Sequence, residues 1–84
     1  MKLIFSENAW EDYLYWQKTD KKILNRINKL IKDIKQEPFE GVGKPEPLKH
    51  SLAGYWSRRI NEEHRIVYKV TDDALLIAQL RYHY

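Results

Sequence analysis

The 84-residue sequence predicts an α+β fold in which two N-terminal helices pack on a twisted antiparallel β-sheet. Its first half carries apolar residues at the spacing of amphipathic helices, and its second half carries short β-rich runs separated by polar turns. Because this length allows one hydrophobic core, we expect a single domain over residues 1–84. A hydrophobic content of 43% and an aromatic content of 13% indicate a folded globule rather than a disordered chain.

The N-terminal elements follow from capping signals and apolar spacing. Residues 2–5 form a predicted strand, and Ser6 is a suitable N-cap for a first helix. The apolar side of that helix carries Trp10, Tyr13 and Leu14. Either Thr19 or Asp20 can cap a second helix, which must end before Pro38. Its apolar residues, at steps of one, three or four, are Ile23, Leu24, Ile27, Leu30, Ile31 and Ile34.

The C-terminal half predicts a loop and an antiparallel meander. Residues 38–47 contain all three prolines and two of the three glycines, so residues 37–49 are predicted to form an ordered loop. Three strands follow, at 55–60, 64–70 and 75–82, and two polar turns separate them.

Two three-residue turns would place Arg59 opposite Arg65 and Val67 opposite Ile77. The face predicted to pack on the helices carries Ile66, Tyr68, Val70, Leu76, Ala78 and Leu80. The opposite face carries Arg59, Arg65, Lys69, Gln79, Arg81 and His83. A change of one residue in either turn would exchange the two faces.

Composition excludes several classes of function. The absence of cysteine excludes a disulfide framework and a thiolate metal site, and no His, Asp and Glu cluster has metal-ligand spacing, so we expect no metal or cofactor. No leader and no apolar stretch near twenty residues is present, so we expect a cytoplasmic protein without a membrane partner. Residues 18–35 hold seven lysines and arginines against two aspartates, which fits either a solvated helix face or a surface that contacts phosphates.

Charged residues in the loop and on the strands form a candidate site. Glu46 lies between two prolines, which stiffen its backbone, although such a loop can also be a rigid turn with a solvated acid. Lys49 follows three residues later. Arg59 and Arg65 would repel each other unless an anion lies between or near them. Alternatively, each arginine pairs with a nearby carboxylate such as Glu62 or Glu63.

Three histidines allow different interpretations. His83 shares the predicted polar face with the arginines, or is an ordinary residue at a strand end. His64 is predicted to be a structural histidine in the core, and His50 in the loop is undecided. Tyr84 could stack on an unpaired base.

A carboxylate, an imidazole, a lysine and two arginines are the groups needed to cleave RNA through its own 2′-hydroxyl. A base removes the hydroxyl proton, cations stabilise the charge that builds on phosphorus, and an acid protonates the leaving 5′-oxygen. This chemistry requires no metal.

Four segments resemble the YoeB toxins of the RelE family, which belong to bacterial type II toxin-antitoxin systems. They are GKPEPLKH at 43–50, GYWSRRI at 54–60, EHRIVY at 63–68 and RYHY at 81–84. The resemblance implies a RelE-like microbial ribonuclease fold and a ribosome-dependent mRNA endonuclease that leaves a 2′,3′-cyclic phosphate and a 5′-hydroxyl. It also implies roles for individual residues: Glu46 as general base, His83 as general acid, Arg65 and Lys49 as phosphate and transition-state stabilisers, and Arg59 and Tyr84 in support.

The resemblance further implies the partners. These are mRNA in the ribosomal A site, the 70S ribosome with its 16S rRNA facing the lysine-rich second helix, and a YefM-like antitoxin. Operator DNA would be bound through the toxin-antitoxin complex, and a homodimer stays open. Two alternatives remain: a non-catalytic module that binds the antitoxin or nucleic acid, and a ribonuclease that acts on free RNA without a ribosome.

Overall fold

The computed structural model describes residues 1–83 and shows two helices packed on one face of a five-stranded sheet. In chain order the elements are β1 (Lys2–Phe5), α1 (Glu7–Thr19), α2 (Lys21–Gln36), β2 (Glu46–Pro47), a 3₁₀ helix (His50–Leu52), β3 (Trp56–Arg59), β4 (Arg65–Val70) and β5 (Ala74–Gln79). The strand order is β1-β5-β4-β3-β2. The α+β class is confirmed, but the sheet is mixed rather than wholly antiparallel, because β1 runs parallel to β5.

Both helices begin at the predicted caps. The Ser6 hydroxyl accepts a hydrogen bond from the Ala9 amide at 3.0 Å and donates one to the Ala78 carbonyl at 3.0 Å. The start of α1 is therefore tied to β5. Of the two candidates for the second cap, it is Asp20 whose carboxylate accepts from the amides of Lys22 and Ile23.

The core lies between the helices and the inner face of the sheet. The apolar stripe of α2 supplies four of its buried residues: Ile27, Leu30, Ile31 and Ile34. The sheet supplies Ile66 and Tyr68 from β4 and Leu75 and Ile77 from β5, each at most 1% exposed. This packing leaves the outer face of β3 and β4 available for a site.

The register between β4 and β5 differs from the predicted one. The Thr71 amide donates to the Ala74 carbonyl at 2.9 Å, so the turn contains two residues rather than three. Ile77 consequently lies opposite Tyr68, and the predicted pairing of Ile77 with Val67 is wrong. A turn shorter by one residue moves every side chain of the following strand to the other face.

The face assignment of β5 changes accordingly. Leu75 and Ile77 enter the core, whereas Leu76 and Ala78, predicted to be there, are only partly buried. A register shift in the ladder then leaves Ala78 as an extra residue in β5, and this second shift returns Leu80 to the core as predicted. The strand ends at Gln79, earlier than predicted.

The predicted loop over residues 37–49 contains a two-residue strand, which the sequence did not indicate. Glu46 in β2 lies opposite Ser57 of β3, and Pro47 lies opposite Trp56. This pairing places Glu46 at the edge of the sheet. Among residues 1–83, no helix is both long enough and apolar enough to cross a membrane.

Candidate active site

A small polar pocket lies on the sheet face that points away from the helices. Its lining residues are Lys44, Glu46, Ser57, Arg59, Arg65 and His83. The strand register explains this grouping, because Glu46 is paired with Ser57 and Arg59 is paired with Arg65. Four residues singled out in the sequence, Glu46, Arg59, Arg65 and His83, are thus brought together.

Glu46 is held by its backbone rather than by its side chain. The prolines on either side fix their own φ angles, and β2 pairs with β3. The preceding loop is tied to the same strand, because the Arg59 amide donates to the Gly43 carbonyl at 2.7 Å. Gly43 has a φ of +83°, and a β-carbon there would lie 3.1 Å from the Arg59 carbonyl oxygen. Only glycine allows this close approach without adjustment.

Arg65 is a buried cation with a fixed orientation. Its side chain and backbone together are 7% exposed. Its Nη1 atom donates to the carbonyl oxygens of Asn61 at 2.7 Å, Glu62 at 3.3 Å and His64 at 3.1 Å. These contacts all come from the chain just before β4, so the guanidinium is oriented before any ligand binds.

His83 reaches the pocket from a chain segment that follows β5. The Tyr82 carbonyl accepts from the Arg65 amide at 3.1 Å, which attaches the segment to the start of β4. The Gln79 side-chain amide donates to the carbonyls of Arg81 at 2.7 Å and His83 at 3.3 Å. Although the strand has ended, the backbone at His83 is therefore anchored.

The pocket has an excess of positive charge. Lys44, Arg59 and Arg65 contribute three cations, and Glu46 contributes the one carboxylate of its lining. Arg59 and Arg65 are directly paired, and like charges in this position are destabilising unless an anion is near. The arrangement is suited to a phosphate group flanked by a carboxylate and an imidazole.

Two of the predicted site residues lie elsewhere. Lys49 is exposed and lines a neighbouring, mostly apolar pocket together with Leu48 and His50, not the pocket of Glu46. Tyr84 lies outside the described residues. The positions of both within a substrate complex stay a prediction.

Two residues that line the pocket, Ser57 and Lys44, were not predicted from the sequence. Ser57 lies two positions before Arg59, so strand alternation alone would have placed it on the same face. Lys44 lies two positions before Glu46, but its φ of +54° and the shape of the loop could not be inferred. Among residues 1–83, no group of three or more His, Cys, Asp and Glu side chains is arranged to hold a metal ion.

Arg58, next to the site residue Arg59, has a different environment. It is completely buried and donates to the Asp33 carboxylate and to the carbonyls of Glu37, Glu40 and Val42. The hydrogen bond from Arg58 to the Asp33 carboxylate holds the pKa of Asp33 below its ordinary value, although partial desolvation of the carboxylate acts in the opposite direction. Arg58 thereby fastens the loop that leads into β2 and Glu46.

Comparison with known proteins identifies the family. A family model described as "YoeB-like toxin of bacterial type II toxin-antitoxin system" matches residues 5–84. "Toxin YoeB" of Escherichia coli K12 is 71% identical over 84 residues, which is the whole of both chains. The chain belongs to the YoeB family of toxins.

Two solved structures of YoeB from Staphylococcus aureus are also similar. One is described as a YoeB dimer, with a TM-score of 0.94 and 52% identity over all of this chain and 98% of the other. The second is described as a YoeB-YefM complex, with a TM-score of 0.92, 50% identity and the same coverage. The resemblance inferred from the four sequence segments is therefore confirmed for both family and fold.

Proposed function

We propose that this YoeB-family toxin is an mRNA endonuclease that cuts in the ribosomal A site. One observation carries the proposal: the carboxylate of Glu46 and the imidazole of His83 line the same pocket as the paired Arg59 and Arg65. A pocket that only binds an anion gains nothing from a carboxylate in its lining. A proton acceptor and a proton donor on either side of cations are what RNA cleavage requires.

In the proposed reaction, Glu46 removes the proton from a ribose 2′-hydroxyl. The 2′-oxygen attacks the adjacent phosphorus, the bond from phosphorus to the 5′-oxygen breaks, and His83 donates a proton to that leaving oxygen. The products are a 2′,3′-cyclic phosphate and a 5′-hydroxyl. In this reaction both proton transfers are carried out by side chains that line the pocket.

The cations stabilise the negative charge that builds on phosphorus. Arg65 suits this role because carbonyl contacts fix its guanidinium, so little reorganisation accompanies the reaction. Arg59 and Lys44 add charge from the same lining. Lys49, from the neighbouring pocket, would contact a phosphate further along the RNA.

Dependence on the ribosome is supported by the exposure of Glu46 and His83 and by the small number of catalytic groups in the pocket. Two exposed proton-transfer groups give little catalysis unless the 2′-hydroxyl is held in line with the leaving oxygen. The ribosome would provide that alignment, with 16S rRNA contacting the exposed lysines of α2.

The remaining proposed partners follow from the family. The S. aureus relatives form a complex with YefM and a dimer, so we infer a YefM-like antitoxin for this chain and a homodimer as a second assembly. The antitoxin complex would bind operator DNA, with the toxin as corepressor.

The experiment that tests the proposal uses end-labelled mRNA, both free and bound to ribosomes with an empty A site. We expect cleavage only on ribosomes, within the A-site codon, with a 2′,3′-cyclic phosphate at the new end. Equal cleavage of free RNA would make the protein a general ribonuclease. No cleavage of either substrate would favour a module that only binds the antitoxin or nucleic acid.

A further inference from the structure

His64 has no role in the proposed reaction, but its side chain accepts a hydrogen bond close to His83. It is 6% exposed, it immediately precedes β4, and it is absent from the pocket lining. Its Nδ1 atom accepts a hydrogen bond from the backbone amide of Tyr82 at 2.7 Å. Its ring packs edge-on against Trp16, with 4.8 Å between the ring centres.

The contact between His64 and Tyr82 lies just after the end of strand β5. Strand β5 ends at Gln79, so the residues that follow are held by individual hydrogen bonds rather than by a continuous ladder. Tyr82 has a φ of +60°, a conformation that a bulky residue adopts only when its surroundings impose it. The change of direction at Tyr82 decides where the next residue, His83, points.

Tyr82 is held from both sides of its backbone by consecutive residues. Its amide donates to the side chain of His64, and its carbonyl accepts from the amide of Arg65 at 3.1 Å. The contact with the Tyr82 carbonyl is made by the backbone amide of Arg65, so among substitutions of Arg65 only proline would remove the donor. The amide contact depends on the side chain at position 64.

We propose that His64 is a positioning residue for His83, and this inference rests on the proposed function. Its unprotonated Nδ1 fixes the Tyr82 amide and thereby places the imidazole of His83 in the pocket. Since Nδ1 must accept, the neutral ring carries its proton on Nε2, the atom that lies 3.6 Å from the Glu63 carboxylate. Nδ1 and Nε2 therefore have separable roles.

Two substitutions separate hydrogen bonding from packing. His64→Asn keeps an acceptor near the position of Nδ1 but loses the ring, whereas His64→Phe keeps a ring against Trp16 but has no acceptor. We expect His64→Phe to lower the single-turnover rate on saturated ribosomes by about 10- to 100-fold, since small displacements of a catalytic group have effects of this size. His64→Asn should restore most of that rate, and the apparent affinity for ribosomes should be equal in all three proteins.

Glu63→Gln is the matched control, because it changes only the neighbour of Nε2. It should cleave like the wild type. If His64→Phe cleaved at the wild-type rate, or if His64→Asn were the slower variant, the positioning role would be wrong and ring packing would be the function of His64. Thermal unfolding of each variant comes first, with His64→Leu as the replacement if the larger phenylalanine ring prevents folding.

Hydrogen exchange at the Tyr82 amide gives a readout that does not depend on cleavage. The amide should be protected in the wild type and in His64→Asn, and should exchange faster in His64→Phe. Fast exchange in the wild type would overturn the inference even if RNA is cleaved. Protection in a wild-type protein that cleaves no RNA would refute the proposed function and leave the His64 contact intact.

Discussion

At the scale of single residues, the proposed reaction divides two proton transfers between Glu46 and His83. Both side chains belong to exposed residues at the edges of the fold. We therefore expect Glu46→Gln and His83→Gln to keep the fold and each to lower the single-turnover cleavage rate by about 10² to 10⁴-fold. Circular dichroism and quenched-flow cleavage on ribosomes measure the two effects, with Glu11→Gln on α1 as control. Wild-type cleavage by either variant would refute the role assigned to that residue.

Gly41 lies against the buried contact between Arg58 and Asp33, where there is no room for a side chain. Its φ is +122°, and a β-carbon there would lie 2.2 Å from Oδ2 of Asp33. Gly54 also has a positive φ, +94°, but a β-carbon there would meet only Lys69 at 3.9 Å. Both alanine substitutions strain the backbone, whereas only Gly41→Ala also displaces the ion pair.

We expect Gly41→Ala to lower the free energy of unfolding by about 1–3 kcal/mol more than Gly54→Ala does. Urea denaturation of the two variants and the wild type measures this difference. Equal losses would mean that backbone strain alone acts at both positions, and that Asp33 and Arg58 adjust without cost.

At the scale of elements, the helices could be predicted from local signals and β5 could not. Ser6 and Asp20 form hydrogen bonds with amides only two or three residues away, so the sequence contains the whole determinant of each cap. The face that β5 buries depends instead on whether the turn before it has two residues or three. No residue in Thr71-Asp72-Asp73 decides this, and the register shift at Ala78 has no sequence signal either.

The Arg58 contact with Asp33 joins β3 to α2, and its strength depends on pH. The Arg58 hydrogen bond lowers the pKa of Asp33 in the folded protein from an ordinary value of 3.8. Such a group contributes stability that is complete above the ordinary value and is lost as the pH falls through the lowered one. We expect Asp33→Asn to be less stable than the wild type at neutral pH, and the gap to close as the pH falls below 3.8. Urea denaturation across this range measures it; a gap independent of pH would assign the effect to packing.

The exposed face of α2 carries the charge expected to contact rRNA. Lys29 and Lys32 are exposed and lie on the side away from the core stripe. Reversing both to glutamate should weaken ribosome binding and flatten its dependence on salt, since fewer counterions would be released. Lys2→Glu on β1 is the control for a general change of charge. Unchanged binding by the double variant would remove α2 from the interface.

At the scale of the whole molecule, the site combines three distant parts of the chain. Lys44 and Glu46 come from the loop and β2, Arg59 and Arg65 come from the hairpin, and His83 comes from the segment after β5. The hairpin register was predictable, because the pairing of Arg59 with Arg65 needs only the turn between them. The approach of Glu46 and His83 was not, since it depends on a two-residue strand and on contacts made after β5 has ended.

The same convergence predicts that an anion stabilises the whole protein. Without a ligand, Arg59 and Arg65 face each other beside Lys44, and a phosphate between them would remove the repulsion. Phosphate at ten times its dissociation constant would add about 1.4 kcal/mol to the free energy of unfolding. For a domain of this size, such a gain raises the unfolding temperature by roughly 5–10 °C.

Thermal unfolding in sodium phosphate, against sodium chloride of equal ionic strength, measures this effect. Arg59→Gln should unfold at a slightly higher temperature in chloride, because the repulsion is gone, but should lose most of the gain from phosphate. Glu46→Gln should increase that gain, since it removes the carboxylate that competes with the anion. Lys2→Gln, an exposed cation far along the sheet on β1, should behave like the wild type. An equal gain from phosphate in Arg59→Gln and the wild type would place the anion elsewhere and separate the paired arginines from phosphate binding.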